Sequence, residues 1–368
     1  MKERIVIVGA GPVGCYLAQQ LKGYGLEPLL IEEHEQVGRP VHCTGIIGSR
    51  LFNEMKAFPA AHPSVINKIN GATIHFNGDS FDIERECAAY VVERDKFDQE
   101  LSRSLDIVYG NRFLGFEKAK SGYVIETDKN EFETDIIIAA DGGDSSVRKA
   151  LTRNLNTGFK SSKGFQLRMK YRAKRHDFVE VYIQKPSFFW IVPEGKEVVR
   201  VGVISDNPYV DLQEFIKKNN IQGEVIDKYG GLVTIGICPE TVKDNIVLVG
   251  GAACQVKPLT YGGIYFGLKS AQILALCIKD GRLNDYDRLW KSELGFEIKT
   301  GLKLKEVYER LEHKELERVF NFLKSQKATI EKFADFENHS RFFVEIIRNP
   351  SIYSKLGDLF SIFLKAII

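Results

Sequence analysis

Two kinds of hydrophobic segment alternate along the chain. The first is a short, unbroken apolar run: Pro28–Ile31, Asn245–Val249 and the β-branched stretches Ile5–Val8 and Asp135–Ala140. Runs without alternating polar positions predict strands buried on both faces of a parallel sheet. The second kind alternates, over Gly164–Arg172, Phe178–Gln184, Phe188–Pro193 and Val198–Ile204 and in shorter segments between Ile66 and Ile83. That period predicts antiparallel strands with one face in a core. Between the first two runs, Cys15, Leu17, Ala18 and Leu21 recur at helical spacing, and the helix stops near Gly23 or Gly25. A further helix is expected over Phe97–Leu105, and from about residue 282 onward the pattern reads helical. Residues 34–50 form a loop punctuated by glycine and proline.

The parallel-type runs stand at the start, in the middle and near residue 245, with the antiparallel block between them. This order predicts an α/β protein with one discontinuous Rossmann-type nucleotide-binding domain, residues 1–65, 86–155 and 244–282. An antiparallel-sheet substrate domain, residues 66–85 and 156–243, is inserted into it, and residues 283–368 form a helical C-terminal region. A chain of 368 residues is long enough for this division.

Composition narrows the function classes. The net charge is +2 on 51 basic and 49 acidic residues, so no global basic field argues for nucleic acid. The seven histidines are scattered, and none belongs to a zinc-type cluster. The six cysteines include no CxxC pair, and Met1 leads almost directly into the strand at Ile5, so a reducing cytoplasm is the expected setting. No run of about eighteen apolar residues is present to span a bilayer.

The chemistry begins at Gly9-Ala-Gly11-Pro-Val-Gly14, which follows a strand and opens a helix. Gly9 permits the tight turn, Gly11 lets a pyrophosphate approach the backbone, and Gly14 brings the helix close to the strand. The helix start at Val13 then offers N–H groups and a positive dipole end to phosphates. Glu32 ends the second strand, twenty-three residues after Gly9, where a carboxylate accepts hydrogen bonds from ribose hydroxyls. Glu33 is the weaker alternative. Together these features predict dinucleotide binding, against the alternative of a glycine turn that binds nothing.

Two further segments select the dinucleotide. Ile136–Arg148, with Asp141-Gly142, resembles the "ATG-DG" element of FAD enzymes with the glutathione-reductase-type fold. Val249–Ile264 resembles their third element, GDAAG followed by proline and GGI, with Gly262, Gly263 and Ile264 in the last three positions. The three elements resemble the p-hydroxybenzoate-hydroxylase-like flavoprotein superfamily, which implies FAD as cofactor. Gly251 stands where that family has an aspartate for a ribityl hydroxyl. Losing a charge-assisted bond of roughly 1.5–3 kcal/mol would weaken binding unless another side chain substitutes.

Within the superfamily the chain most resembles the geranylgeranyl reductases. Val37–Gly45 follows their V-G-x-P-x-x-C-x-G loop, and Phe188–Pro193 follows their Y-x-W-x-F-P motif with Phe for Tyr and Val for Phe; Pro186 precedes it. The resemblance implies that Cys43, followed by Thr44, lies at the isoalloxazine ring as catalytic thiol, and that Phe188, Trp190 and Pro193 line the substrate cavity. It also implies that Arg94, ahead of a helix, helps hold the flavin. Bland readings stand beside these: Cys43 as a loop filler, His42 as structural rather than a proton relay, Trp190 as core, Arg94 as an ion-pairing residue and Cys254 as packing. The activity implied is saturation of isoprenoid C=C bonds of a prenyl lipid, as in archaeal-type membrane lipids, by hydride transfer from reduced FAD. Electrons would come from NAD(P)H or from a reduced ferredoxin-like carrier. The alternatives are an FAD monooxygenase of the same fold and a non-catalytic lipid- or flavin-binding homologue.

In Tyr353–Ile368, Ser354, Asp358, Ser361 and Lys365 fall on one helical stripe and apolar residues cover the remainder. Packing against the protein itself and peripheral docking on a membrane are the two readings of that helix.

Overall fold

A computed structural model describes residues 4–55, 62–151, 159–185 and 187–348. The chain divides into two compact units.

The first unit comprises residues 1–41, 94–161 and 232–298. Its sheet has six strands in the order Val242–Lys243, Ile246–Leu248, Ile136–Ala139, Ile5–Val8, Leu29–Ile31 and Ile107–Val108. All neighbours are parallel except the Val242–Lys243 edge. Ile5–Val8 and Ile136–Ala139 are buried at every position, the outcome expected of unbroken apolar runs in a parallel sheet. The helix Pro12–Gly23 begins at the glycine turn with proline in its first turn, where a missing N–H costs nothing. It packs on the helix Ile264–Lys279. The helix expected over Phe97–Leu105 runs from Arg94 to Ser102 and buries Phe97 and Leu101. A separate three-stranded antiparallel sheet, Phe113–Lys118, Tyr123–Thr127 and Glu131–Thr134, was not anticipated.

The second unit comprises, among the described residues, those within 42–93, 162–231 and 299–348. Its eight-stranded sheet runs Val225–Ile235, Lys160–Lys170, Val198–Ser205, Ser187–Pro193, Phe178–Gln184, Val65–Phe76, Asp79–Val92 and Ile46–Gly48. The segments between Ile66 and Ile83 belong to two long strands closed by the Asn77-Gly78 turn, both residues at positive φ as such a hairpin requires. Residues 42–65 and 86–93, expected with the nucleotide domain, fall in this unit because Ile46–Gly48 pairs with Asp79–Val92. Residues 299–348 group with it as well, instead of forming a separate region. One sheet face packs Leu167, Phe189, Ile191, Val201 and Val203 against the helix Pro208–Lys218. The opposite face carries Val179, Val181, Trp190 and Val192.

Among the described residues no helix is long and apolar enough to cross a membrane. The amphipathic segment Tyr353–Ile368 and Pro186 lie outside the described residues.

Candidate functional site

In the first unit, three backbone turns at the ends of adjacent parallel strands meet. Gly9, at φ +98°, abuts the second turn so closely that a β-carbon there would lie 2.7 Å from the Ala140 carbonyl oxygen. A β-carbon at Gly14 would lie 2.1 Å from the Gly9 oxygen, so the helix sits against its own turn as the motif predicts. At Gly11 a β-carbon would meet nothing within 4 Å. The open side of the turn is therefore at Gly11, which caps a helix whose first N–H groups have no intrahelical acceptor.

The second and third turns touch at their glycines. A β-carbon on Gly251 would lie 3.0 Å from the backbone of Gly142 and Gly143, and one on Gly250 would meet Val13 at 3.0 Å. Val13 therefore packs its side chain against the third turn and also fills the notch at Gly267. Arg148 clamps the two turns together. Its buried guanidinium donates to the carbonyls of Gly143 at 2.5 Å, Ala252 at 2.8 Å and Gly251 at 3.2 Å. Gln255, fully buried, accepts from Gly250 N–H at 2.6 Å and donates to the Tyr286 hydroxyl at 3.0 Å. Gly262 and Gly263 lead into the helix that starts at Ile264, with Lys257 N–H donating to the Gly262 carbonyl. Cys254 is buried at φ +56°, and burial pushes its thiol up to about 12, which fits a packing role.

Two carboxylates serve these turns. Glu32 is buried, its Oε2 accepts the Ala10 N–H at 2.9 Å, and its Oε1 accepts His34 N–H at 3.0 Å. The expected ribose acceptor thus stands beside the glycine turn, while Glu33 is exposed. Asp141 accepts the Val147 N–H through Oδ2 at 3.2 Å, whereas its Oδ1 is buried with no hydrogen-bond partner. Burial raises its carboxyl above the ordinary range, against the pull of the Ser145 hydroxyl and nearby backbone N–H groups. A buried acceptor without a donor is costly, and a bound ligand donor is one remedy. The open turn, the free helix start, Glu32 and the orphaned Asp141 oxygen together fit a flavin dinucleotide. Arg94 forms a close ion pair with Asp98, 2.8 Å apart, within its own helix.

In the second unit, Cys43 and Thr44 lie in a short turn fixed to the sheet. Gln166 donates to the Cys43 carbonyl at 3.2 Å and accepts from the Thr44 hydroxyl at 2.9 Å. Arg200 donates to the carbonyls of Thr44 and Val92, and to Glu194 at 2.7 Å. Burial works to raise the Glu194 carboxyl, but Arg168 and Arg200 together hold it below the usual range. Gly45 N–H reaches Cys43 Sγ at 3.3 Å. His42 faces the Gly230 carbonyl through Nδ1 at 2.5 Å, so Nδ1 carries the proton there.

Trp190 and Phe188 share one sheet face, with ring centroids 5.8 Å apart, and Trp190 Nε1 is buried with no partner. Pro193 falls at the alternate register, and its carbonyl accepts from Asn67 at 2.8 Å. The structure therefore groups Phe188 and Trp190 but not Pro193. Sequence reasoning passed over Arg148, Gln255, Gln166, Glu194 and Arg200. Arg148 and Gln255 stand inside the second and third flavin elements, which do not disclose the carbonyls and hydroxyl they hold, and Gln166, Glu194 and Arg200 belong to no local motif.

Residues 7–53 match a family described as an NAD(P)-binding Rossmann-like domain. An uncharacterized protein of Methanocaldococcus jannaschii is 31% identical, over 95% of each chain. Digeranylgeranylglycerophospholipid reductase 1 of Methanothermobacter thermautotrophicus is 27% identical, over 97% of this chain and 98% of its own. A crystal structure of a geranylgeranyl bacteriochlorophyll reductase-like protein from Thermoplasma acidophilum superposes with a TM-score of 0.81, at 22% identity, over 97% of this chain and 99% of that one.

Proposed function

We propose that this chain, which belongs to the geranylgeranyl reductase family of FAD flavoproteins, saturates isoprenoid C=C bonds of a prenyl lipid. The observation that carries the reading is the meeting of three turns, with open space at Gly11 and an unpaired buried oxygen on Asp141. Full-length relatives named as digeranylgeranylglycerophospholipid reductases support the substrate class.

Gly9, Gly11, Val13 and Gly14 receive the pyrophosphate at the helix start, and Glu32 accepts the ribose hydroxyls. Asp141, Gly251, Gly262, Gly263 and Ile264 would hold the remainder of the cofactor, with Arg94 as a supporting contact. Reduced FAD, held there, would supply the hydride for one alkene carbon. Cys43 gives its thiol proton to the other carbon and is reprotonated from solvent. Phe188 and Trp190 offer an apolar aromatic surface that orients the chain and excludes water. NAD(P)H or a reduced ferredoxin-like carrier returns the electron pair, and a peripheral membrane contact delivers the lipid.

The purified protein should be yellow, release FAD on denaturation, and under reducing anaerobic conditions add two mass units per double bond to a geranylgeranyl lipid. A colourless protein that takes up no FAD refutes the cofactor. A yellow protein that leaves the lipid unchanged with every donor tested refutes the substrate class. Cys43→Ala should keep the flavin spectrum and slow alkene reduction by about a hundred-fold or more, the usual contribution of a positioned proton donor.

A further inference from the structure

The turn that carries Cys43 is held by an unusual arrangement of buried polar groups. Gln166 and Arg200 are only 4% and 5% exposed, on adjacent strands of the eight-stranded sheet. The register places Gln166 opposite Gly202, and Gly202 opposite Trp190, so all three stand on one sheet face. A β-carbon on Gly202 would lie 2.4 Å from the Trp190 ring and 2.7 Å from Gln166 Cβ. The bare glycine is what lets the indole and the amide lie side by side.

The amide then spends both ends on the same turn. The Cys43 carbonyl can only accept, so it fixes the amide nitrogen toward Cys43 and the amide oxygen toward the Thr44 hydroxyl. Arg200 holds the next carbonyl, that of Thr44, and is itself anchored by Glu194. Val92 N–H donates to the Gly45 carbonyl at 2.8 Å, closing the far side. A loop that needed only to be packed would not require two buried polar side chains, each with a desolvation cost, aimed at the consecutive residues Cys43 and Thr44.

We infer that Gln166, supported by Arg200, is a positioning residue that sets the place of the Cys43 thiol. Its catalytic meaning rests on the reading of Cys43 as proton donor, but the positioning is tested without turnover.

The experiment is alkylation of the FAD-loaded full-length protein by iodoacetamide, followed for each cysteine peptide by mass spectrometry. In Gln166→Leu the Cys43 rate should rise about ten-fold, the factor that corresponds to one lost hydrogen bond of about 1.4 kcal/mol. Cys87 and the buried Cys15, Cys238, Cys254 and Cys277 should keep their wild-type rates. Thr44→Val should move Cys43 in the same direction, and Thr44→Ser, which retains the hydroxyl, should match the wild type. If Gln166→Leu does not fold, the two Thr44 variants carry the same prediction. A Cys43 rate within two-fold of wild type in both Gln166→Leu and Thr44→Val overturns the inference. So does a joint rise of all six thiols, which would mark general loosening. In the reduction assay, Gln166→Leu should lower kcat while KM for the prenyl lipid holds; a rise in KM alone overturns the positioning role. If Cys43→Ala turns over like wild type while the alkylation pattern holds, the thiol's chemical role falls and the positioning stands.

Discussion

Replacing Asp141 by Asn should have opposite effects on the empty protein and on cofactor binding. The carboxylate accepts one backbone N–H through Oδ2, and Oδ1 is buried without a partner. Burial raises its folded-state pKa, so the charged form is disfavoured in the folded apoprotein. A raised carboxyl binds its proton more readily when folded than when unfolded. Stability from that difference is full below the unfolded value and is lost as pH rises through the folded value. Asn, which never ionises, avoids that loss. The apoprotein melting temperature of Asp141→Asn should therefore exceed wild type near pH 7, and the gap should close toward pH 4. FAD affinity should move the other way, because Asn puts an N–H₂ or a neutral oxygen where a carboxylate oxygen would accept from the cofactor. A charge-assisted hydrogen bond contributes roughly 1.5–3 kcal/mol, so affinity should fall about ten- to hundred-fold. Thermal melts across pH and titration of flavin fluorescence measure the two arms. Unchanged FAD affinity, or an apoprotein less stable than wild type at pH 7, refutes the assignment of the free oxygen to the cofactor.

Gly11→Val and Gly14→Ala should separate binding from folding. The first projects into open space and should give a folded, colourless protein, whereas the second collides at 2.1 Å with the Gly9 oxygen and should lose soluble yield and native circular dichroism. Gly251→Asp, which restores the residue the flavoprotein pattern calls for, should not restore binding. Its β-carbon would press at 3.0 Å on the Gly142–Gly143 backbone that Arg148 holds, so melting should fall by the few degrees that about 1–3 kcal/mol of overpacking implies, and FAD affinity should not rise.

The contrast between Gly11 and Gln166 explains which parts of this protein can be read from its sequence. A glycine in a phosphate turn answers a local steric demand. Its neighbours in the chain are nearly all that matters, and Gly9, Gly14 and Glu32 stand where the motif puts them. The buried apolar runs are legible for the same reason, since a strand covered on both faces has no polar position to spare. Gln166 answers a demand set 123 residues away, and in its strand it looks like the polar half of an ordinary alternation. Arg148 likewise follows a serine pair at a helix start and shows nothing of the carbonyls it holds 103 and 104 residues further on. The sheet over Phe113–Thr134 was missed because its strands are short and only Tyr123–Thr127 buries alternate positions along its whole length. The glycine turns leave space for a cofactor, and the long-range polar clamps decide how rigidly the surrounding groups are held. A homologue that kept every glycine but lost Gln166 and Arg148 should therefore bind flavin, and should hold its turns and its thiol less firmly.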